Sequence, residues 1–153
     1  MIKKFSYILI LLLLANCGYQ TIYSDKKNTT TSINEIEMEG NKNISRKIVS
    51  LAKLGKNDNQ NYSYDLTLIS NKKIESVAKD KSGNISVYKT TIDVKLYLKD
   101  PNDQGEIIKQ KIFSSSFVYN NRQNKFDLSQ YQKNIEKNLI DKIAEEITIY
   151  LSL

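Results

Sequence analysis

The sequence predicts an α+β fold: a two-layer sandwich in which a four-stranded, mainly antiparallel sheet carries two helices on one face, in the order β-α-β-β-β-α. Three observations carry that expectation. Apolar residues recur at helical spacing in two places, from Ile44 to Ala52 and from Tyr131 to Leu151. Between them, apolar and polar residues alternate with a period of two through three long stretches. Polar turn sequences separate those stretches, at Lys81-Ser82-Gly83-Asn84 and from Asp100 to Gly105.

Ahead of the domain, Lys3 and Lys4 precede an apolar run from Phe5 to Ala15. That run is about eleven residues long, where a spanning helix needs roughly 20. A short basic region, a short apolar region and a small-residue exit read as an export signal. The exit, Leu14-Ala15-Asn16-Cys17, resembles the lipobox of bacterial lipoproteins, with Asn16 in place of the usual Gly, Ala or Ser. In such proteins the cysteine thiol receives a diacylglycerol and the chain is cut just before it. The alternative is an accidental or buried cysteine in an ordinary signal. The expected organisation is therefore a signal over 1–16, a lipidated tether over 17–32 and a single domain over 33–153. Tyr19 and Tyr23 either seat the tether at the membrane interface or pack on the domain, and Asp25 to Ser32 is too polar to bury itself.

Within the domain, Ile33, Ile36 and Met38, closed by Gly40, predict a strand over 33–39. Asn43 is the expected cap of a first helix, whose stripe is Ile44, Ile48, Leu51 and Ala52 and which Gly55 ends. After a polar loop, Tyr62, Tyr64, Leu66 and Leu68 alternate with polar residues, and the strand continues through Ile74 and Val77. Ile85 and Val87 lie on odd positions but Ile92, Val94, Leu96 and Leu98 on even ones, which predicts a bulge near Lys89 to Thr91. Ile107 to Tyr119 is a third long strand, with Phe113, Phe117 and Tyr119 on one parity. A polar loop from Asn120 to Asp127 leads to Ser129, the expected cap of a long C-terminal helix with Ile135, Leu139, Ile143, Ile147 and Leu151 on its apolar stripe. Leu66, Leu96, Ile135, Leu139 and Ile143 are the expected core.

Composition narrows the chemistry. The chain of 153 residues has one cysteine, no histidine and a formal charge of +6, two units of which belong to Lys3 and Lys4. Without histidine or a second cysteine, the usual transition-metal ligands and the Ser-His and Cys-His nucleophile pairs are missing. No Gly-rich phosphate loop follows a strand, and Asp65, Glu75 and Asp93 show no catalytic spacing. The expectation is a protein that is not an enzyme and needs no cofactor beyond a covalent lipid on Cys17. A mildly basic surface favours anionic partners, and no nucleic-acid motif accompanies it. The hairpin from Ser70 to Lys89 gathers Lys72, Lys73, Lys79, Lys81 and Lys89. Two readings stand: a lysine-protected strand edge, or an anion-binding tip for phosphorylated lipid.

Cys17-Gly18-Tyr19 followed by Ile22-Tyr23 resembles the start of the LptE family, the lipoproteins of lipopolysaccharide assembly. The stretch from Ser82 to Asn121 is also similar, with Gly83 at a hairpin tip, Leu96-x-Leu98-x-Asp100 at a strand end and Ser114-Ser115-Ser116 leading to Tyr119-Asn120. So is the Phe126-Asp127-Leu128-Ser129 approach to the last helix, while Thr21 stands where a proline often follows in that family. The resemblance implies an outer-membrane lipoprotein facing the periplasm, which plugs the LptD-type β-barrel and helps place lipopolysaccharide in the outer leaflet. It implies lipid contact through basic side chains, and Lys79, Lys81, Lys89, Arg122 and Lys125 are the candidates. Two other readings fit the residues without the resemblance: an accessory lipoprotein of a lipid transporter, and a pilotin-like chaperone of a secretion ring. If Cys17 carries the anchor, Cys17→Ser abolishes incorporation of radiolabelled palmitate in cells, and unchanged labelling would refute the assignment.

Overall fold

The helical stripes and the alternating stretches resolve into six elements in the computed structural model, which describes residues 31–55, 63–103 and 105–153. They are β1 (Ile33–Gly40), α1 (Lys42–Leu51), β2 (Tyr64–Lys79), β3 (Ile85–Lys99), β4 (Ile107–Asn120) and α2 (Lys125–Ser152). The signal, Cys17 and most of the tether with Tyr19 and Tyr23 lie outside the described residues, as do Tyr62 and residues 56–61 of the loop after α1. The order and class are those the sequence predicts. Strand order in the sheet is β1-β2-β3-β4. β2, β3 and β4 form an antiparallel meander. β1 lies parallel to β2, so α1 is the crossover that a parallel pair requires.

Alternation decides what the sheet buries. Leu66 and Leu68 of β2, Ile92, Val94, Leu96 and Leu98 of β3, and Phe113 and Tyr119 of β4 turn one face inward. They share a single buried cluster with Ile44 and Ile48 of α1 and with Ile135, Leu139, Ile140, Ile143, Ile147 and Leu151 of α2. All five residues expected in the core are in it. The opposite face has no helical cover, and Ile112 on it is 62% exposed.

The crossover begins abruptly. Gly40 has a left-handed φ of +66°, and a side chain there would overlap the backbone carbonyl of Ser70. One residue on, the Asn41 N–H donates to that same Ser70 carbonyl at 2.8 Å. Beneath it the hydroxyls of Ser45 and Ser70 meet at 2.8 Å, buried. β1 pairing therefore stops at Ser70, while β2 runs on to Lys79 with β3 as its only strand neighbour among the described residues.

Four expectations need correction, each for a reason outside local pattern. The first helix is capped by Asn41, not Asn43: the Asn41 side chain accepts from the Ile44 N–H, because the turn at Gly40 delivers the chain directly into α1. Leu51 is 48% exposed, and Leu54, past the helix end, fills the core instead. The last helix is capped by Asn124, not Ser129. Asn121 is pinned to β3 through its N–H on the Ser86 carbonyl and its side-chain amide on the Ile85 carbonyl. The chain thus leaves the sheet early, and the loop expected to reach Asp127 ends at Asn124. β3 has no bulge near Lys89 to Thr91, since its register against both neighbours is unbroken from Tyr88 to Leu98. Against β2 the register shifts twice nearer the turn, where Val77 is an extra residue on β2 and Ser86 one on β3. Val87 shares a parity with Lys95 and Tyr97 and so sits toward the uncovered side, while Ser86 interrupts the alternation before Ile85. Phe117 keeps the inward parity but is 47% exposed, because it lies on the outermost strand.

Leu139 sits where α2 crosses the sheet. Leu139→Ala should lower the urea midpoint by the equivalent of about 2–5 kcal/mol. An unchanged midpoint would mean that α2 does not derive its position from the sheet.

Candidate functional site

Two connections meet at the far end of the sheet, and between them they gather most of the candidate basic residues. The β2–β3 turn is shaped by Asp80, whose carboxylate accepts from the Ser82 and Asn84 backbone N–H groups at 2.9 Å each. The Asp80 N–H donates to the Asn84 carbonyl, and Gly83 takes a φ of +83° to let the chain reverse. Lys79 and Lys81 flank that aspartate, and both are exposed. The β4–α2 connection comes alongside because Asn121 is bonded to the start of β3. It brings Arg122 and, at the first position of α2, Lys125 to the same end.

These cations are not there to stabilise local structure. A lysine in the first helical turn opposes the helix dipole, which favours an acid at that position; Asp127 supplies one. Among the described residues, Lys79, Lys81 and Lys125 take part in no ion pair. Arg122 lies 4.1 Å above the centre of the Tyr131 ring, a cation–π seat that fixes the guanidinium while leaving it exposed. Lys89 is different. It lies further along β3, directly across from Glu75 on β2, and is set apart from the other four.

Under this end runs an aromatic ladder that hydrophobic periodicity does not reveal. Tyr88 stacks on Tyr119 with ring centres 5.8 Å apart, and Tyr119 meets Tyr131 edge-on at 5.8 Å. The Tyr119 hydroxyl accepts from the Gln132 amide at 2.9 Å and bonds the Thr90 hydroxyl at 3.1 Å. Tyr88, Thr90 and Gln132 are thus supporting residues without a sequence signal, since they meet at Tyr119 of β4 from two other elements, β3 and α2.

The remaining hairpin lysines are neutralised. Lys72 and Lys47 both reach Glu136 of α2, at 2.7 and 3.1 Å. Lys73 pairs with Glu75 at 2.7 Å. Burial works against ionisation of Glu136, but the hydrogen bonds from Lys72 and Lys47 and their charges outweigh it and hold the carboxyl below its ordinary value of 4.5. For Glu75 the hydrogen bond from Lys73 leads, opposed by slight desolvation and aided by the charges of Lys73 and Lys89, and its carboxyl too is lowered.

A groove of about 750 Å³ along β1 is lined by Glu35, Glu37, Glu39 and Asp65, with Lys42 and Lys99 beside them. It sits at the end of β2 away from the hairpin turn, and its acids repel an anionic ligand. No group of His, Cys, Asp and Glu among the described residues could hold a metal ion. No helix among them is long and apolar enough to cross a membrane.

Solved structures share this arrangement. The rare lipoprotein B from Shewanella oneidensis superposes with a TM-score of 0.58 at 15% identity, over 78% of this chain and 94% of that one. A minor lipoprotein from Acinetobacter baumannii gives 0.56 at 16% identity, over 77% and 90%. Lipoprotein B from Nitrosomonas europaea gives 0.53 at 7% identity, over 77% and 81%. At these identities the likeness is one of fold, and these three proteins are lipoproteins. No family model matches the chain, and no curated protein matches it in sequence.

Glu136 gives this region a pH signature. A depressed carboxylate contributes stability above its unfolded-state pKa and loses it as the pH falls through the native value. Glu136→Gln should therefore be less stable than the native chain at neutral pH, with the gap closing below the ordinary value of 4.5. Urea midpoints across that range measure it, and a gap that persists undiminished in acid would show that the carboxylate's charge is not the cause.

Proposed function

We propose that this chain is a lipid-anchored lipoprotein of the outer membrane, on its periplasmic side, whose domain sits in an LptD-type β-barrel and assists insertion of lipopolysaccharide into the outer leaflet. The single observation that carries the reading is the convergence of Lys79, Lys81, Arg122 and Lys125 on one end of a fold that lipoproteins share. The anchor in this reading is the acyl lipid on Cys17. The helix-free face of the sheet suits a polar lumen wall. Thr91, Ser114 and Ser116 line up across β3 and β4 on that face, and the Ser114 hydroxyl donates to Asp93 at 2.6 Å.

The mechanism follows from what the cations are free to do. Lipopolysaccharide carries phosphates and carboxylates. Cations that take part in no ion pair attract such groups over roughly a Debye length, about 8 Å at physiological salt, and release them without breaking a fixed pair. Weak, screened attraction suits a transfer step, in which tight binding would hold the cargo back. Lys89 contributes less in this scheme, because Glu75 faces it.

Lys79→Glu combined with Lys81→Glu should weaken lipopolysaccharide binding by about tenfold at low salt while the complex with the barrel still forms. Both quantities are measured in one purified preparation at low and moderate salt. Binding that is unchanged and insensitive to salt would return these lysines to the role of edge protection. Recovery of an inner-membrane transporter or a multimeric secretion ring in a pull-down, with no monomeric barrel, would replace the barrel reading altogether.

A further inference from the structure

β2 outlasts its neighbour. β1 pairing stops at Ser70, so the following stretch of β2 presents a free edge among the described residues. The phase of that edge is fixed twice. The Ser70 carbonyl accepts from Asn41 on the β1 side, so at alternate positions Lys72, Ile74 and Ser76 direct their own N–H and C=O groups the same way. On the other side, the Ser86 carbonyl accepts from Asn121 just past β4, which turns Lys89, Thr91 and Asp93 of β3 toward β2 and leaves their partners Glu75, Lys73 and Asn71 bonded inward. Ile74 and Val77 on this stretch are 42% and 51% exposed.

We propose that this edge pairs with the same edge of a second copy of the chain, antiparallel, with the two-fold axis at Ile74. That register is the one both backbone and charge select. Ile74 faces Ile74 of the copy, and Lys72 faces Ser76, so every edge-directed N–H and C=O of the three residues finds a partner. Lys73 faces Glu75 in both directions, which sets opposite charges across the non-bonded pairs. Asn71 faces Val77, and beyond Val77 the register shifts at Ser76 to Lys79 end the regular edge where β1 of the copy begins. The other two free edges have no such complementarity. β1 carries Glu35, Glu37 and Glu39 and no cation, and β4 carries Lys109 and Lys111 and no acid. The pairing is a state of the chain outside the barrel partner proposed above, and it is tested without that partner.

A charge swap tests it. The full chain in detergent, followed by sedimentation over a range of concentrations, should shift from monomer to dimer. Lys73→Glu alone and Glu75→Lys alone should each weaken self-association by about tenfold or more, since each places like charges across both pairs. An equimolar mixture of the two variants should recover the native association, because every introduced charge then faces its opposite. Thermal unfolding of each variant like that of the native chain confirms that the exposed substitutions leave the fold intact. A native chain that stays monomeric, a single variant that associates as the native chain does, or a mixture that fails to recover would each overturn the proposal.

Discussion

At Gly40 the chain passes so close to the Ser70 carbonyl that a side chain there would overlap it, and only a left-handed backbone permits the turn. That carbonyl then accepts the Asn41 N–H, while the Ser70 hydroxyl is bonded to Ser45 in the first turn of α1. One residue of β2 thus ends a strand, launches the crossover and registers the helix above it. The consequences spread in both directions. On the helix side, Ile44 and Ile48 are delivered over Leu66 and Leu68. On the strand side, the rest of β2 is released from β1 and keeps β3 as its strand neighbour. Both the core under α1 and the open edge of β2 depend on that close approach.

The middle of the sheet and its turn end use their charges differently. Near the middle, Lys47 and Lys72 converge on Glu136, and their role is to hold α1, β2 and α2 in register. A partly buried carboxylate between two lysines is a structural fastener, since its desolvation is offset by hydrogen bonds from both sides. Toward the tip the cations lose such partners, and the positive end of α2 adds to their field. Acids concentrate instead along β1, at the other end of the sheet.

Much of the architecture is legible in the sequence, because burial on one side imposes a period of two on strands and of three to four on helices. Leu66, Leu96, Ile135, Leu139 and Ile143 announce themselves in this way. Helix starts are harder to read. Asn41 and Asn43, or Asn121, Asn124 and Ser129, all have capping chemistry, and the choice is made by where the preceding strand is pinned, at Ser70 and at Ser86. The parity change in β3 is a real sequence feature with a different cause, since the strand starts beyond the helical layer and Val87, near its start, faces the uncovered side. The basic end is legible only as a group of lysines. Which of them are free depends on partners 64 and 89 residues away, as with Lys72 and Lys47 on Glu136, and no local pattern carries that information.

The tyrosine ladder has a practical consequence. The chain has no tryptophan among its 153 residues and ten tyrosines, so tyrosine dominates the near-ultraviolet absorption of the folded domain. Three of those rings, Tyr88, Tyr119 and Tyr131, form a row through Tyr119 beneath the basic end, and the Arg122 guanidinium covers one of them. Coupled, rigid rings give strong circular dichroism, and an anion that draws Arg122 away changes the field over Tyr131. A ligand arriving at this end would be visible in the protein's own spectrum, with no dye attached to the surface whose charge is in question.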